Sequence, residues 1–412
     1  MTATTVKVIT SAADLADYAA RWNILLEGCH CEAPFLMWEW FSAWIAELAE
    51  GVELRVLAVY DGGELVALAP FCVENVSCGG LFSLRVLKPA ASGVSDYFDL
   101  IAGAERAREY AAVVWDYLFG PLKPDWEVLE LHDVRDDSPL LIAFENLART
   151  DGRCRGAVTT KRTVCPYVTL PESWEAHLAA CGRPRRYYLS GSRRRLAAAG
   201  DLKLRFCSTA DELSGQMEDL ISLNKRSWRD RGGSDSFASP ELELFHLRAA
   251  RSFLDRGELL LCSLTLDGEH IASFYGFEHR KRVYYYISAV KRLEQKRVNV
   301  LDTLLGFCME EAIKRGCREF DMLRGGEKYK LRWTPFSRQV VSVRFYNGTA
   351  RSRAFRLCRG VRDLFKRRKA AECRGGAGAG AQSDRGIRAR HNHSNRRVSN
   401  LTGTPPSVSN RV

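Results

Sequence analysis

The sequence predicts an α/β fold assembled from two copies of one module, and two observations support this prediction. An apolar strand, an Asp-Gly turn and a second apolar strand occur at residues 57–71 and again at 261–277. Two helical stretches precede each hairpin, and a helix and a strand follow each one. The shared order indicates a repeat in topology rather than in residue identity. We place the boundary between the copies near Arg153 to Pro171.

In the first copy, apolar spacing predicts helices over Ala12–Leu26 and Phe35–Leu48, before the hairpin. After the hairpin, the pattern predicts a helix over Arg106–Phe119 and a strand over Trp126–Leu131. A helix between two strands that follow a hairpin is typical of a crossover connection.

The second copy repeats this order more clearly. Helices are predicted over Asp211–Arg231, Pro240–Leu254 and Val300–Arg315, and the last strand over Glu319–Leu323. Gly316 directly follows the third helix, where a terminating glycine is expected. A hairpin followed by a crossover helix and a parallel strand splays the sheet and opens a ligand slot at the strand ends.

Composition limits the class of protein. The chain has 412 residues, enough for two domains, and 46% of them are apolar. It lacks the apolar run of about 18 residues that predicts a membrane span, and the start lacks the pattern of a secretion signal, so we expect a cytoplasmic protein. The 13 cysteines lie in apolar segments without a metal-ligand spacing. We therefore expect reduced structural thiols and no metal site.

The net charge of +11 belongs to the tail. Residues 351–412 carry 16 Lys and Arg against 3 Asp and Glu, whereas the other 350 residues carry 45 against 47. We therefore do not expect DNA binding by the body. Residues 351–370 have the pattern of a basic amphipathic helix, either packed on the body or in peripheral contact with anionic lipid or an acidic partner. Residues 371–412 have the composition of a disordered basic tail.

A dense polar motif follows the last predicted strand. It comprises Phe320-Asp321, Leu323-Arg324-Gly325, Glu327, Tyr329-Lys330 and Trp333. The motif resembles the GNAT-type acyltransferase domain of CelD-like cellulose-biosynthesis proteins and is similar to tandem-GNAT FemAB transferases. The resemblance covers residues 165–350 well and 1–150 weakly. It implies a GNAT-like α/β (α+β) fold, a mixed, splayed sheet flanked by helices in two tandem modules, with 1–155 degenerate and 165–350 catalytic.

The resemblance also implies an activity. The expected reaction moves an acyl group from acyl-CoA, most simply acetyl-CoA, to an amine or hydroxyl of a small-molecule or glycan acceptor, in exopolysaccharide or envelope biosynthesis. One departure concerns the donor, because residues 295–300 lack the glycines of a pyrophosphate loop. An acyl carrier or a charged tRNA is therefore an alternative donor. A non-catalytic scaffold of a polysaccharide synthase is a third hypothesis.

Acyl transfer needs a base, a group that stabilises the oxyanion and a partner for the leaving thiolate. Glu327 is the preferred base, in a glycine-containing loop at the slot. Lys330 is the cation that, by the FemAB resemblance, neutralises charge on the acyl group. Asp321 is a base, an orienting group for Arg324, or a structural carboxylate held by that arginine. Tyr329 is the candidate to protonate the leaving sulfur, with the tyrosines at 284–286 as rivals.

Other residues are expected to bind rather than react. The candidates for holding the donor are on the splayed strand and at the start of the third helix: Ile287, Ser288, Lys296, Arg297 and Asn299. The candidates for contacting the substrate are Trp228, Arg324 and Tyr285. Six arginines at 183–196 provide either a site for a phosphorylated donor or carrier, or an exposed helix face.

Overall fold

The computed structural model describes residues 4–78, 82–229, 236–293 and 298–359, without the side chains of residues 228 and 229. The strands are β1 Thr4–Ile9, β2 Glu53–Asp61, β3 Glu64–Cys78, β4 Phe82–Pro89, β5 Ile101–Ala102, β6 Val128–Arg135, β7 Ala157–Thr169, β8 Leu202–Phe206, β9 Leu259–Leu266, β10 Glu269–His279, β11 Arg282–Val290, β12 Glu319–Asp321 and β13 Ser337–Tyr346. The helices are α1 Ala12–Ala16, α2 Ala19–Leu26, α3 Trp38–Leu48, α4 Ala107–Leu118, α5 Pro139–Thr150, α6 Trp174–Ala180, α7 Arg183–Ala197, α8 Ala210–Arg229, α9 Pro240–Asp255, α10 Val300–Lys314 and α11 Lys328–Leu331.

These elements form two repeats of one topology. From β1 to β7 and again from β8 to β13, the order is strand, helices, three strands, helix, strand, helix, strand, with the short β5 as an addition in the first repeat. In each repeat the third strand after the helices pairs in parallel with the strand that follows the crossover helix, as β4 with β6 and β11 with β12. The predicted α/β fold with two tandem modules is therefore confirmed.

The repeats exchange their last strands. One continuous sheet has the order β1-β2-β3-β4-β6-β13-β7-β12-β11-β10-β9-β8. Strand β13 of the second repeat pairs antiparallel with β6 of the first, and β7 of the first pairs antiparallel with β12 of the second. The boundary predicted near Arg153 to Pro171 falls on β7. Both repeats lie within one compact unit that ends at Phe355.

Local sequence explains the turns and the helix ends. Both hairpins have two-residue turns with positive φ at both positions, Gly62-Gly63 and Asp267-Gly268, which is the geometry that suits twisted strands. Asn299 caps the start of helix α10, and its side chain accepts a hydrogen bond from the Asp302 amide at 3.0 Å. Gly316, two residues after the end of the helix, has a φ of +74°.

Some predicted elements differ in extent. The helix predicted over Ala12–Leu26 is two helices, α1 and α2, and the strand predicted over Trp126–Leu131 is β6, which begins later and runs further. The strand predicted over Glu319–Leu323 is β12, which ends at Asp321. Leu323 has a φ of +53°, which extended backbone does not allow. Residues 350–359 are helical, and the rest of the predicted 351–370 helix and the 371–412 tail lie outside the described residues.

The largest core cluster contains side chains of both repeats, so the repeats are packed as one body. Most of the twelve described cysteines are buried, and Cys262 and Cys308 are fully buried in the core of the second repeat. In the described part of the chain, no helix combines the length and apolarity needed to cross a membrane. Among the same residues, no group of three or more His, Cys, Asp or Glu is arranged to hold a metal ion.

Candidate active site

The sheet opens where β11 and β12 separate. The two strands pair only from Arg282 with Glu319 to Tyr284 with Asp321, whereas β11 stays paired with β10 as far as Val290. Within the described chain, residues 285–290 therefore have no strand partner on the side that faced β12. Their backbone N–H and C=O groups on that edge are available to a ligand. This is the slot that the crossover topology predicts.

A cleft of about 770 Å³ occupies this opening. It is lined by residues from β11, the segment after β12, helices α8 and α10, strand β7 and the turn at 92–96. Seven of the predicted site residues line it: Tyr285, Ile287, Ser288, Arg324, Glu327, Tyr329 and Lys330. The structure thus brings together residues 285–288 and 324–330, which are about forty positions apart in the sequence.

Lys330 and Glu327 form a pair in the cleft. The Lys330 side chain is 8% exposed, and its Nζ donates to the carbonyl oxygen of Arg324 at 2.6 Å and lies 3.3 Å from Glu327 Oε2. An ammonium has three N–H groups, and the third has no acceptor among the described residues. Gly325 makes this geometry accessible, because its φ is +119° and a Cβ there would collide with the Glu327 carboxylate.

Three hydroxyl groups continue the cleft wall. The Tyr285 hydroxyl lies 2.5 Å from Ser288 Oγ and 3.3 Å from the Tyr329 hydroxyl. Burial raises the pKa of Tyr285 and the pKa of Tyr329 above the ordinary value for a phenol. Both phenols therefore remain protonated at neutral pH and are available as hydrogen-bond donors.

Arg324 joins the second repeat to the first. Its guanidinium forms ion pairs with Asp96 and with Asp133, both of which are buried. Two carboxylates thus compensate its charge, which leaves Arg324 little capacity to bind an anionic substrate. Asp96 also lines the cleft, and burial raises its pKa.

Asp321 lies behind the cleft and does not line it. Its Oδ2 accepts hydrogen bonds from the Tyr97 hydroxyl at 2.8 Å and from Arg338 at 3.1 Å, and its Oδ1 accepts from the Leu323 amide at 2.8 Å. The proposed pairing with Arg324 is therefore wrong, because Arg338 takes that place. Burial raises the pKa of Asp321 to about 6. Its contacts support a structural role at the junction of the repeats.

The first repeat has the same divergence of strands, but its own chain fills it. Strands β4 and β6 pair only at Val86 with Val128 and Leu87 with Leu129. Beyond that point the segment 97–102 lies between β3 and β6. It forms a parallel bridge from Phe98 to Val134 and pairs through β5 with β3. We call residues 90–102 the plug.

The start of α10 is largely engaged with protein groups. The Asn299 amide donates to Ser192 Oγ at 3.1 Å, and the Asn299 side chain caps the helix. The buried Asp302 carboxylate lies at the same end, 3.4 Å from the guanidinium groups of Arg185 and Arg332. The 285–290 edge, with backbone groups open to hydrogen bonding, would hold the thioester arm of an acyl-CoA. At the start of α10, the described cations Arg185 and Arg332 are shared with Asp302.

Some predicted residues lie outside the described part of the chain: Lys296, Arg297 and the side chain of Trp228. Sequence reasoning missed Asp96, which the first repeat contributes to the cleft. The available signal was a carboxylate in the apolar stretch SDYFDLIA at 95–102, since buried carboxylates are rare without a partner or a role.

Comparisons with known proteins place this site in context. Residues 183–331, from α7 to α11, match the model of the Acetyltransferase (GNAT) domain. This range contains the 285–290 edge, Glu327, Tyr329 and Lys330. The chain has no match among curated proteins.

Solved structures share the fold across both repeats. The crystal structure of FemX is similar with a TM-score of 0.55 and 10% sequence identity, over 82% of this chain and 96% of that one. The C-terminal domain of a protein assigned as a lysylphosphatidylglycerol synthetase from Agrobacterium fabrum has a TM-score of 0.51 and 12% identity, over 82% and 94%. A tandem GNAT protein from the clavulanic acid biosynthesis pathway has a TM-score of 0.46 and 14% identity, over 84% and 100%. At these identities the first two similarities show the fold alone.

Proposed function

We propose that the protein is an acyltransferase that moves an acyl group, most simply acetyl, from a CoA thioester to an amine or hydroxyl in the cleft. The observation that carries this proposal is the placement of the buried Lys330 ammonium in the same cleft as the unpaired 285–290 edge. That edge offers hydrogen bonds to the amides of the donor arm, and the ammonium offers positive charge near the acyl group. The match of 183–331 to the GNAT domain model supports the same reaction.

Each polar residue of the cleft has a proposed part. The bound donor supplies a thioester carbonyl for attack. Lys330 stabilises negative charge that develops on the acyl oxygen, because its third N–H is free of described acceptors. Glu327 accepts the proton of the attacking amine or hydroxyl, and it is the more accessible partner, with its side chain 53% exposed. Tyr329 donates a hydrogen bond to the departing sulfur, since its raised pKa disfavours complete proton transfer.

The first experiment is donor binding by the full-length protein. Thermal shift with acetyl-CoA, longer acyl-CoAs and free CoA should show saturable stabilisation, about 2.7 kcal/mol at one hundred times the dissociation constant. Ser288→Trp fills the slot and should abolish the shift. Ser83→Trp, at an exposed position on β4 in the first repeat, should retain it. No shift with any thioester would remove CoA as the donor.

A second candidate donor is an aminoacyl-tRNA, and the surface of α7 favours it. Arg183 and Arg194 are exposed on that helix and have no carboxylate partner among the described residues, and Tyr187 is 71% exposed beside them. Exposed arginines with an aromatic side chain suit a nucleic-acid backbone and its bases. Charged tRNA should then bind with a steep salt dependence, and replacing both arginines with serine should reduce the slope of log affinity against log salt. Equal affinity for charged and uncharged tRNA would count against this donor.

The wider biological role is proposed from the resemblance of the 320–333 motif. It favours an acceptor from exopolysaccharide or envelope biosynthesis, and we propose it on that ground alone. The scaffold hypothesis predicts no donor binding and no dependence of function on Lys330, so the same experiments separate it from a transferase.

A further inference from the structure

A second groove meets the active-site cleft at Gly93. The groove has a volume of about 320 Å³, and Gly93 lines both it and the cleft. The φ of Gly93 is +100°, and a Cβ added there would have no atom within 4 Å. Gly93 adds no side chain between the two spaces, so a molecule that extends from one to the other meets only its backbone there.

The walls of the groove combine an apolar part with a polar part and come from both repeats. Trp44 and Leu48 are on α3 of the first repeat, Leu242 is on α9 of the second, and Val94 belongs to the plug. The polar part is Ser92 and the ion pair of Lys88 with Glu74, at 2.5 Å. These two charges compensate each other, so the groove favours an uncharged apolar group over an ion.

The turn at 92–96, which borders both groove and cleft, is held on several sides. The Tyr286 hydroxyl donates to the Val94 carbonyl at 2.6 Å, and Trp40 Nε1 donates to Ser95 Oγ at 2.9 Å. Asp96 is paired with Arg324. The groove is therefore preformed, and a ligand does not have to order it on binding.

We infer that the acceptor is amphiphilic, with its nucleophilic end in the cleft near Lys330 and an alkyl or aryl group across Gly93 in the groove. This inference rests on the proposed acyl transfer and names the class of its acceptor. The continuity of groove and cleft at Gly93 argues for an acceptor rather than a separate ligand. The 285–290 edge is the proposed site of the donor.

The test is a chain-length series on the full-length protein. Binding of ethylamine, butylamine and octylamine is measured by calorimetry, and affinity should rise by about fourfold for each methylene that enters the groove. Leu242→Trp fills the groove and should remove this dependence. Leu48→Trp fills it from the other repeat and serves if the first variant folds poorly. The control is Leu244→Trp, on the same helix at a position that is 52% exposed and lines neither space.

The outcomes separate the groove from the reaction. Chain-length dependence that disappears in both filling variants and persists in Leu244→Trp supports binding of the apolar group in the groove. If no acyl transfer is then seen, the groove stands but the assignment of its ligand as the acceptor is overturned with the proposed function. Acyl transfer to ethylamine and octylamine with equal KM supports a transferase and overturns the groove. Equal affinity for all three amines in the wild type, or equal losses in all three variants, also overturns it.

Discussion

The two repeats diverge at the same point of their sheets and use the opening differently. In the second repeat, β11 continues past β12 and leaves the 285–290 edge open to a cleft. In the first repeat, β4 turns away after Pro89 and the plug takes its place between β3 and β6. The same topology therefore provides a binding slot in one repeat and a closed core in the other.

The plug also contributes to the open slot. Gly93 and Asp96 line the cleft of the second repeat, and the Tyr97 hydroxyl bonds to Asp321 at 2.8 Å. The plug thus closes the slot of the first repeat and also forms part of the wall of the cleft in the second repeat. The repeats are therefore not two independent sites, and substitutions in the two slots should have different effects.

The largest effect is expected for the stability of the filled slot. Phe98 is buried in the plug with its ring centroid 5.5 Å from that of Phe71, so Phe98→Ala should lower the free energy of unfolding by about 3–5 kcal/mol. Affinity for acetyl-CoA, measured by calorimetry, should change less than twofold. Phe274→Ala is the matched control, because Phe274 stacks on Tyr285 of the open slot at 5.2 Å and should reduce both stability and affinity. A tenfold loss of affinity in Phe98→Ala would contradict a purely structural role for Phe98.

In the open slot, Lys330→Met should lower kcat by a hundredfold or more, which is about 2.7 kcal/mol of transition-state stabilisation. Methionine retains the bulk of the buried side chain and removes the charge. Lys161→Met removes a cation of the same cleft whose side chain is 55% exposed, and it should leave kcat within threefold. If both variants lose activity equally, the net charge of the cleft matters rather than the placement of Lys330.

Sequence reasoning predicted the open slot better than the filled one. The turns, the crossover helix α10 and the cluster of Glu327, Tyr329 and Lys330 follow from local patterns, because each depends on residues close together in the chain. The exchange of β7 and β13 does not follow from local patterns, because the pattern of one strand does not indicate which strand pairs with it. The plug was missed for the same reason: the sequence around Phe98 and Asp99 does not indicate which strands lie beside it, and only the fold places these residues between β3 and β6. Arg338, the partner of Asp321, comes from the exchanged strand.

The plug should also give the protein a pH-dependent stability. Asp99 is buried and accepts hydrogen bonds from Ser138 Oγ and the Leu100 amide, both at 2.8 Å, and burial raises its pKa to about 6. Between about pH 4, where an aspartate of the unfolded chain ionises, and pH 6, only the unfolded state loses this proton. The free energy of unfolding therefore falls as the pH rises, on the order of 3 kcal/mol for this group, and the loss persists above pH 6.

Asp99→Asn removes the titrating carboxyl group. The free energy of unfolding of this variant, measured in urea, should therefore rise relative to that of the wild type between pH 4 and pH 8. Asp137→Asn is the control with the opposite sign. Burial raises the pKa of Asp137, but the hydrogen bond from Arg135 outweighs burial and the pKa is lowered. The free energy of unfolding of Asp137→Asn should therefore fall relative to that of the wild type as the pH rises. Parallel pH profiles for wild type and Asp99→Asn would falsify the assignment of this cost to the plug.

The smallest predicted effect decides what Glu327 does in the open slot. Glu327→Gln should reduce kcat/KM by about tenfold at neutral pH if Glu327 removes the acceptor proton, and the acidic limb of the pH–rate profile should disappear. Glutamine keeps an oxygen to accept from Lys330, so a residue that only positions the ammonium should tolerate the change within threefold and retain that limb. The two roles therefore differ in the shape of the profile as well as in its height. Only a role in proton removal makes the activity of the open slot depend on the Glu327 carboxylate itself.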